Sequence, residues 1–166
     1  MRIKLFLTYV RPLLDYNTTT WSPHLLSDIL KVESVQRKFT RRLCRRCNIK
    51  FLIYKDRIEK LNLESLEVRR IKQDLIFLYK ILHNYVDIDF DKYFQINHFS
   101  CFRLRRYQFQ IKRQNIAKTA VRNSFFTYRV TRYWNELPEN VANSPTLETF
   151  RYRLRRLNLK VTNTPT

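Results

Sequence analysis

Two clusters of cations are the residues of this chain best suited to act on another molecule. Arg37, Lys38, Arg41, Arg42, Arg45 and Arg46 form the first, inside a stretch (27–53) holding eight basic and two acidic residues. Arg103, Arg105, Arg106, Lys112 and Arg113 form the second, inside a run from Lys92 to Asn135 with ten basic residues and no acid. Between them, residues 54–98 balance eight against eight. Across 166 residues, 33 Lys and Arg face 14 Asp and Glu, a net charge of +19, well above the magnitude of about 2–8 that keeps a small domain soluble. Blocks of one sign build a local potential that draws polyanions. RNA, DNA or their hybrid is the expected partner, and a merely solvated basic face is the plain alternative. From Arg103 to Arg113 the cations interleave with aromatics, as do Arg122, Phe125, Phe126, Tyr128, Arg129, Arg132, Tyr133 and Trp134. Arginine neutralises phosphate while an exposed ring stacks on a base; Phe125, Phe126 and Trp134 share helical spacing and are read as core.

Other chemistries are weaker. Cys44 and Cys47 form a CxxC and His98 with Cys101 an HxxC, spacing that suits tetrahedral zinc, but Cys44 also follows Leu43 where a thiol serves as a small apolar residue. The structural role is the reading adopted, and no metal or other cofactor is expected. Asp87, Asp89 and Asp91 would share one side of an extended segment, as a two-metal nuclease would need. Alternating with Val86, Ile88 and Phe90, they read instead as the wet side of a connection. His24, His83 and His98 lie apart with no nucleophile beside them. The chain has no glycine, which excludes the P-loop, the Rossmann fingerprint, the nucleophile elbow and the EF-hand. No catalytic residue is assigned.

The elements that must carry these groups are mainly helical. Residues 3–16 show helical spacing that Pro12 bends or splits, and Asn17–Pro23 is a turn-rich break. Ser27 is the expected N-cap of a helix reaching Arg46, with Ile29, Val32, Gln36, Phe39 and Leu43 on its inner face and the arginines off that face. Tyr54–Leu61 reads as a short helix. Ser65 caps a longer one ending near Asn84, which stands where glycine usually ends a helix; Ile71, Leu75, Leu78 and Leu82 form its stripe, and Arg70 and Asp74 can pair on its surface. Alternation from Leu104 to Ile111 predicts a strand or hairpin. Phe125–Leu137 is helical, and Ser144 with Pro145 starts a last helix whose Leu147, Phe150, Leu154 and Leu157 turn inward. The expected fold is a mainly α helical bundle with a small basic β-hairpin or strand, organised as a helical region (1–84), a connection (85–98), a basic region (99–158) and a frayed tail (159–166), all in one globular unit.

With 44% hydrophobic residues and 24 aromatics in the form of 12 Phe, 10 Tyr and 2 Trp, the chain can bury a core. No apolar run approaches the roughly 18 residues of a membrane span, and Pro12 and Asp15 stand where a signal-peptide cleavage site would be. Three cysteines without secretory features point to reduced thiols and an intracellular location, nucleus or cytoplasm.

Taken in order, Tyr9 to Tyr16 (YVRPLLDY), Trp21-Ser22-Pro23, Glu33 to Arg41 (ESVQRKFTR), Tyr54, Arg57, Leu61, Leu63, Leu66, Arg69-Arg70, Asp74-Leu75, Tyr79 to His83 (YKILH), Phe125-Phe126, Arg129 and Trp134 to Pro138 (WNELP) resemble the region downstream of the polymerase core in non-LTR (LINE-type, jockey-like) retrotransposon reverse transcriptases. The similarity runs over roughly residues 9–157. It implies a thumb and C-terminal extension that grips template and primer, working beside a separate polymerase core. The family's pair of adjacent catalytic aspartates has no match, since no two aspartates adjoin in this chain, and no endonuclease module is present. Tyr107 and Asn84 stand where the family tends to have glycine. The expected activity is therefore non-catalytic nucleic-acid binding, and the alternative is an orphan scaffold or protein-interaction module from a decayed retroelement frame.

Overall fold

The structure, a computed structural model, describes residues 2–49, 53–96, 110–112 and 120–159. They are mainly helical, with no strand among them. They divide into two compact units, one running up to Arg70 and the other spanning Ile71–Asn158.

The first unit begins with α1 (Arg2–Leu5), a π turn (Phe6–Val10) and α2 (Arg11–Asp15). Pro12 has no N–H to offer the carbonyl four residues back, and its ring crowds that carbonyl. The chain answers by widening: the Arg11 N–H donates to the Phe6 carbonyl five residues earlier. The interruption expected at Pro12 is thus a π bulge. The break at Asn17–Pro23 contains a single helical turn, α3 (Thr18–Trp21). Then α4 (Leu26–Arg46) starts from an extended Leu25 with no side-chain cap. Ser27 lies within the first turn rather than at the N-cap, beside Asp28, which pairs with Lys31 at 3.0 Å.

The inner face of α4 also departs from expectation. Ile29, Glu33, Gln36, Thr40 and Cys44 are buried, whereas Val32, Phe39 and Leu43 are only half-buried. Polar side chains hold this stripe because each makes at least one internal hydrogen bond, which offsets much of the desolvation penalty that would otherwise expel it, although the Gln36 Oε1 is buried without a partner. Phe39 stacks on the buried Phe6 with ring centroids 4.1 Å apart. After α5 (Tyr54–Lys60) comes α6 (Leu66–Leu82), whose Val68 N–H donates to the Ser65 hydroxyl, 3.3 Å, as expected of the cap. The boundary between the two units falls within α6.

In the second unit α6 buries Ile71, Leu75, Leu78, Tyr79 and Ile81. Around them come α7 (Phe90–Tyr93), α8 (Ala120–Asn123), α9 (Phe126–Asn135), α10 (Glu139–Ala142) and α11 (Leu147–Arg156). Tyr79 stacks on Phe150 at 4.4 Å and donates its hydroxyl proton to the Ser144 carbonyl, 2.7 Å. Phe126 meets Phe77 edge-on at 5.4 Å, and Trp134 is 1% exposed, so both serve the core. Phe125 does not: it precedes α9 in an extended conformation and is 57% exposed. Thr146, not Ser144, caps α11, accepting from the Thr149 N–H; the Ser144 hydroxyl is turned to the Val141 carbonyl, 2.7 Å. Arg70 and Asp74 are buried rather than on the surface.

Of the expected β element, the described part is Gln110–Lys112, where Ile111 forms an isolated antiparallel bridge with Ile96. Asn135 clamps it, accepting from the Ile111 N–H at 3.1 Å and donating to its carbonyl at 2.8 Å. No hairpin is seen among the described residues, and the rest of the segment lies outside them.

The chain ends its main helices without glycine. Asn48, Asn62 and Asn84 take φ of 50, 50 and 56°. At each, the following residue donates back to the third-last helical carbonyl: Ile49 to Cys44 (3.0 Å), Leu63 to Ile58 (2.7 Å) and Tyr85 to Lys80 (2.8 Å). These are Schellman motifs with asparagine in the left-handed position, each followed by an apolar residue.

Candidate nucleic-acid interface

The first cation cluster rides on α4. With Ile29, Glu33, Gln36, Thr40 and Cys44 turned inward, the helical period of 3.6 residues puts Lys38, Arg41, Arg42, Arg45 and Arg46 on the other sides, and all five are exposed. None forms an ion pair with a carboxylate among the described residues. From Lys38 to Arg46 the helix rises about 12 Å. A nucleic-acid strand places a phosphate about every 3.4 Å of axis, so the strip can meet three or four. Its location at the helix C-terminus is itself favourable for cations.

Arg37 is different. It is half-buried, with its guanidinium carbon 4.8 Å from the Tyr54 ring centroid, and Arg57 approaches the same ring at 5.6 Å. Arg37 therefore props the helix against α5 instead of projecting with the other five.

A buried polar network holds the strip in place. The Glu33 carboxylate, 4% exposed, accepts from the Leu66 N–H at 3.0 and 3.3 Å and from the Tyr54 hydroxyl. Gln36 donates to the Tyr54 oxygen at 3.0 Å and to the Glu64 carbonyl at 2.9 Å. Glu33 thus places a negative charge at the N-terminus of α6, where the helix dipole favours it. Burial, then the Glu33 charge, push the Tyr54 hydroxyl far above the usual tyrosine range, and burial with the same charge raises Glu67. Arg69 grips Asp15 through Nε at 2.9 Å and through Nη2, tying α6 to the end of α2. Burial, then the neighbouring Arg69, lower the pKa of Arg11. In the second unit Arg129 forks onto Asp74 at 2.7 and 3.1 Å.

The second cluster is represented by Lys112, which is exposed; Arg103, Arg105, Arg106 and Arg113 lie outside the described residues. So do His98 and Cys101 of the zinc candidate. Cys44 is buried and Cys47 is exposed at the end of α4, and among the described residues no group of three or more His, Cys, Asp or Glu is placed to hold a metal ion. Asp87, Asp89 and Asp91 are exposed, as expected of the wet side of a connection, and Asp89 caps α7, accepting from the Asp91 N–H at 3.1 Å. His83 is half-buried beside Tyr79, ring centroids 4.1 Å apart, and burial lowers its pKa.

Sequence reasoning left out the arginines of α11. Its inward Phe150 and Leu154 leave Arg155 and Arg156 exposed and Arg151 half-buried. The signal was present in the Arg-Tyr-Arg-Leu-Arg-Arg run once the inner face is fixed. A stripe of apolar residues on the first helical segment, Leu5, Tyr9, Leu13 and Tyr16, also faces outward, at 48, 67, 75 and 76% exposure. Among the described residues no helix is long and apolar enough to cross a membrane.

Compared with known proteins, the chain is 34% identical over 79 residues to the uncharacterized protein B0403.1 of Caenorhabditis elegans, which covers 48% of this chain and 40% of that one. The chain thus spans less than half the length of this curated relative. No family model and no solved structure matches.

Proposed function

We propose that this chain is a non-catalytic nucleic-acid-binding module, resembling the thumb and C-terminal part of a non-LTR retrotransposon reverse transcriptase, that grips RNA, DNA or their hybrid through backbone phosphates. The observation that carries it is the α4 strip: Lys38, Arg41, Arg42, Arg45 and Arg46 exposed on a helix whose inner face is locked, with no carboxylate partner among the described residues. Phosphate contact of this kind reads no sequence. Arg103, Arg105, Arg106, Lys112 and Arg113, on a short β-hairpin or strand, supply the second contact in this reading, and the polymerase chemistry belongs to a separate core.

Salt dependence tests it. Five to eight neutralised phosphates give a log–log slope of about −4 to −7 on duplex DNA. Reversing Arg41, Arg42 and Arg45 to Glu should weaken binding to every sequence alike and flatten the slope by about 3. A salt-independent affinity, or an effect confined to one sequence, overturns the reading. The outward stripe of Leu5, Tyr9, Leu13 and Tyr16 favours a second reading, a protein-interaction module. A chain that shifts no oligonucleotide in a mixed RNA and DNA panel but associates with protein would support that one instead.

A further inference from the structure

We propose that the outer face of α11 is a second contact, a stacking site for an unpaired base flanked by phosphate-binding arginines, which takes single-stranded RNA or DNA. It rests on the nucleic-acid reading above and adds a site in the second unit. The helix is well anchored. Phe150 and Leu154 are 0 and 1% exposed, and Thr146 caps its start. Arg153 is held by the Asn140 carbonyl, and the buried Lys72 ammonium donates to the Arg155 carbonyl at 3.1 Å. An anchored helix presents its outer side chains in a fixed pattern.

That outer side combines two chemistries. Tyr152 is 55% exposed, and the Arg156 guanidinium carbon lies 4.5 Å from its ring centroid. Arg155 is exposed next to it and Arg151 stands one turn away. No carboxylate pairs with Arg151, Arg155 or Arg156 among the described residues, although Glu148 is exposed in the first turn. A ring and a guanidinium plane in contact offer flat surfaces of the kind on which splayed-out bases stack, while neighbouring arginines neutralise the flanking phosphates. A duplex keeps its bases paired and presents none to the ring. An acidic peptide would satisfy the arginines and leave Tyr152 unused.

The test uses the full chain, with far-UV circular dichroism to show that each variant is folded. Anisotropy measures binding of a 12-nucleotide oligomer carrying 2-aminopurine, single-stranded and as a duplex. Tyr152→Leu should weaken single-strand binding about tenfold, relieve the 2-aminopurine quenching and change duplex binding less than about twofold. Tyr152→Phe should restore wild-type behaviour. Arg155→Gln with Arg156→Gln should reduce the single-strand salt slope by about 1.4. Wild-type single-strand affinity in Tyr152→Leu, an equal loss on both forms, or arginine variants that change only binding to poly-glutamate overturns the inference. If the α4 reversal weakens binding while Tyr152→Leu does not, this site alone is refuted. A wild-type chain that binds neither form refutes both this site and the proposed function.

Discussion

Glu33→Gln is the substitution that best separates folding from binding in this chain. The residue sits within the segment adjoining the cation strip, so a contact role and a positioning role predict different outcomes. In the structure its carboxylate is 4% exposed and receives the Leu66 N–H and the Tyr54 hydroxyl. Glutamine has the same size but turns one acceptor into a donor, which must face one of those two hydrogens. Leaving one buried donor unsatisfied costs about 1–3 kcal/mol, and losing the negative charge at the start of α6 costs about 0.3–2 kcal/mol more. Relief of carboxylate desolvation offsets part of this, so a net loss of about 2 kcal/mol is expected. In a chain of 166 residues that lowers Tm by about 4–8 °C.

Urea denaturation of the wild type, Glu33→Gln, Tyr54→Phe and the double variant would measure the coupling, expected at about 1 kcal/mol or more because the two groups share a hydrogen bond. A second readout comes from alkaline pH. Tyr54 is held protonated in the fold by burial and by Glu33, whereas the unfolded chain releases that proton near the ordinary tyrosine pKa of about 10. Above that value the unfolded state binds fewer protons than the native one, so stability falls as pH rises. Glu33→Gln should make this alkaline loss shallower. At neutral pH its oligonucleotide affinity should match the wild type at temperatures where both are folded. Unchanged stability, zero coupling, or a loss of affinity in the folded variant would refute the assignment of Glu33 to positioning.

Two further outcomes follow from the same geometry. Asn84→Gly should stabilise the fold slightly, because glycine carries no Cβ penalty at φ 56°, while Asn84→Ala should destabilise it by about 1 kcal/mol; urea midpoints showing alanine tolerated as well as glycine would refute the Schellman assignment. Burial lowers the His83 pKa, so between the native value and about 6.5 the unfolded state binds the extra proton. Stability is therefore present above that window and lost as pH falls through it; a Tm that drops on acidification equally in wild type and His83→Gln would place the sensitivity elsewhere.

The longer helices were legible in the sequence and their inner surfaces only partly, whereas the single turns α3, α7, α8 and α10 were not. Leu66–Leu82 and the Ile71, Leu75 and Leu78 of its stripe follow directly from apolar spacing, although Arg70, Lys72 and Asp74 are buried as well and Leu82 only half-buried. On α4 the same rule selected Val32, Phe39 and Leu43, yet Glu33 and Thr40 lie inside. Their partners decide this, and for Glu33 these are Tyr54 and Leu66, 21 and 33 residues on, a separation at which spacing carries no information. Ser65 caps α6 as expected, whereas Ser27 and Ser144 do not cap their helices. Ser144 has the right residue type, but its hydroxyl is engaged by the end of α10, and Thr146 takes over. Asp89 does have a local role that spacing alone did not show, capping α7.

The division between buried and exposed cations bears on how the net charge acts. Arg69 and Arg129 are engaged in forks with Asp15 and Asp74, Arg57 is buried against Tyr54, and Arg70 and Lys72 are buried. Several of these positions carry the family resemblance, and so do Glu33, Tyr54 and Trp134. A motif built from such residues preserves a packed and paired interior, and it would persist in any chain that keeps the fold, whatever that chain binds. Among the described residues the exposed cations include the α4 strip, Lys112 and the outer arginines of α11, and in the proposed reading these release counterions from a polyanion. Removing a paired arginine should therefore unfold the protein with little change in the salt slope of the molecules that remain folded, whereas removing an outer one should flatten the slope by about 0.9 per contact on duplex and leave the melting temperature alone.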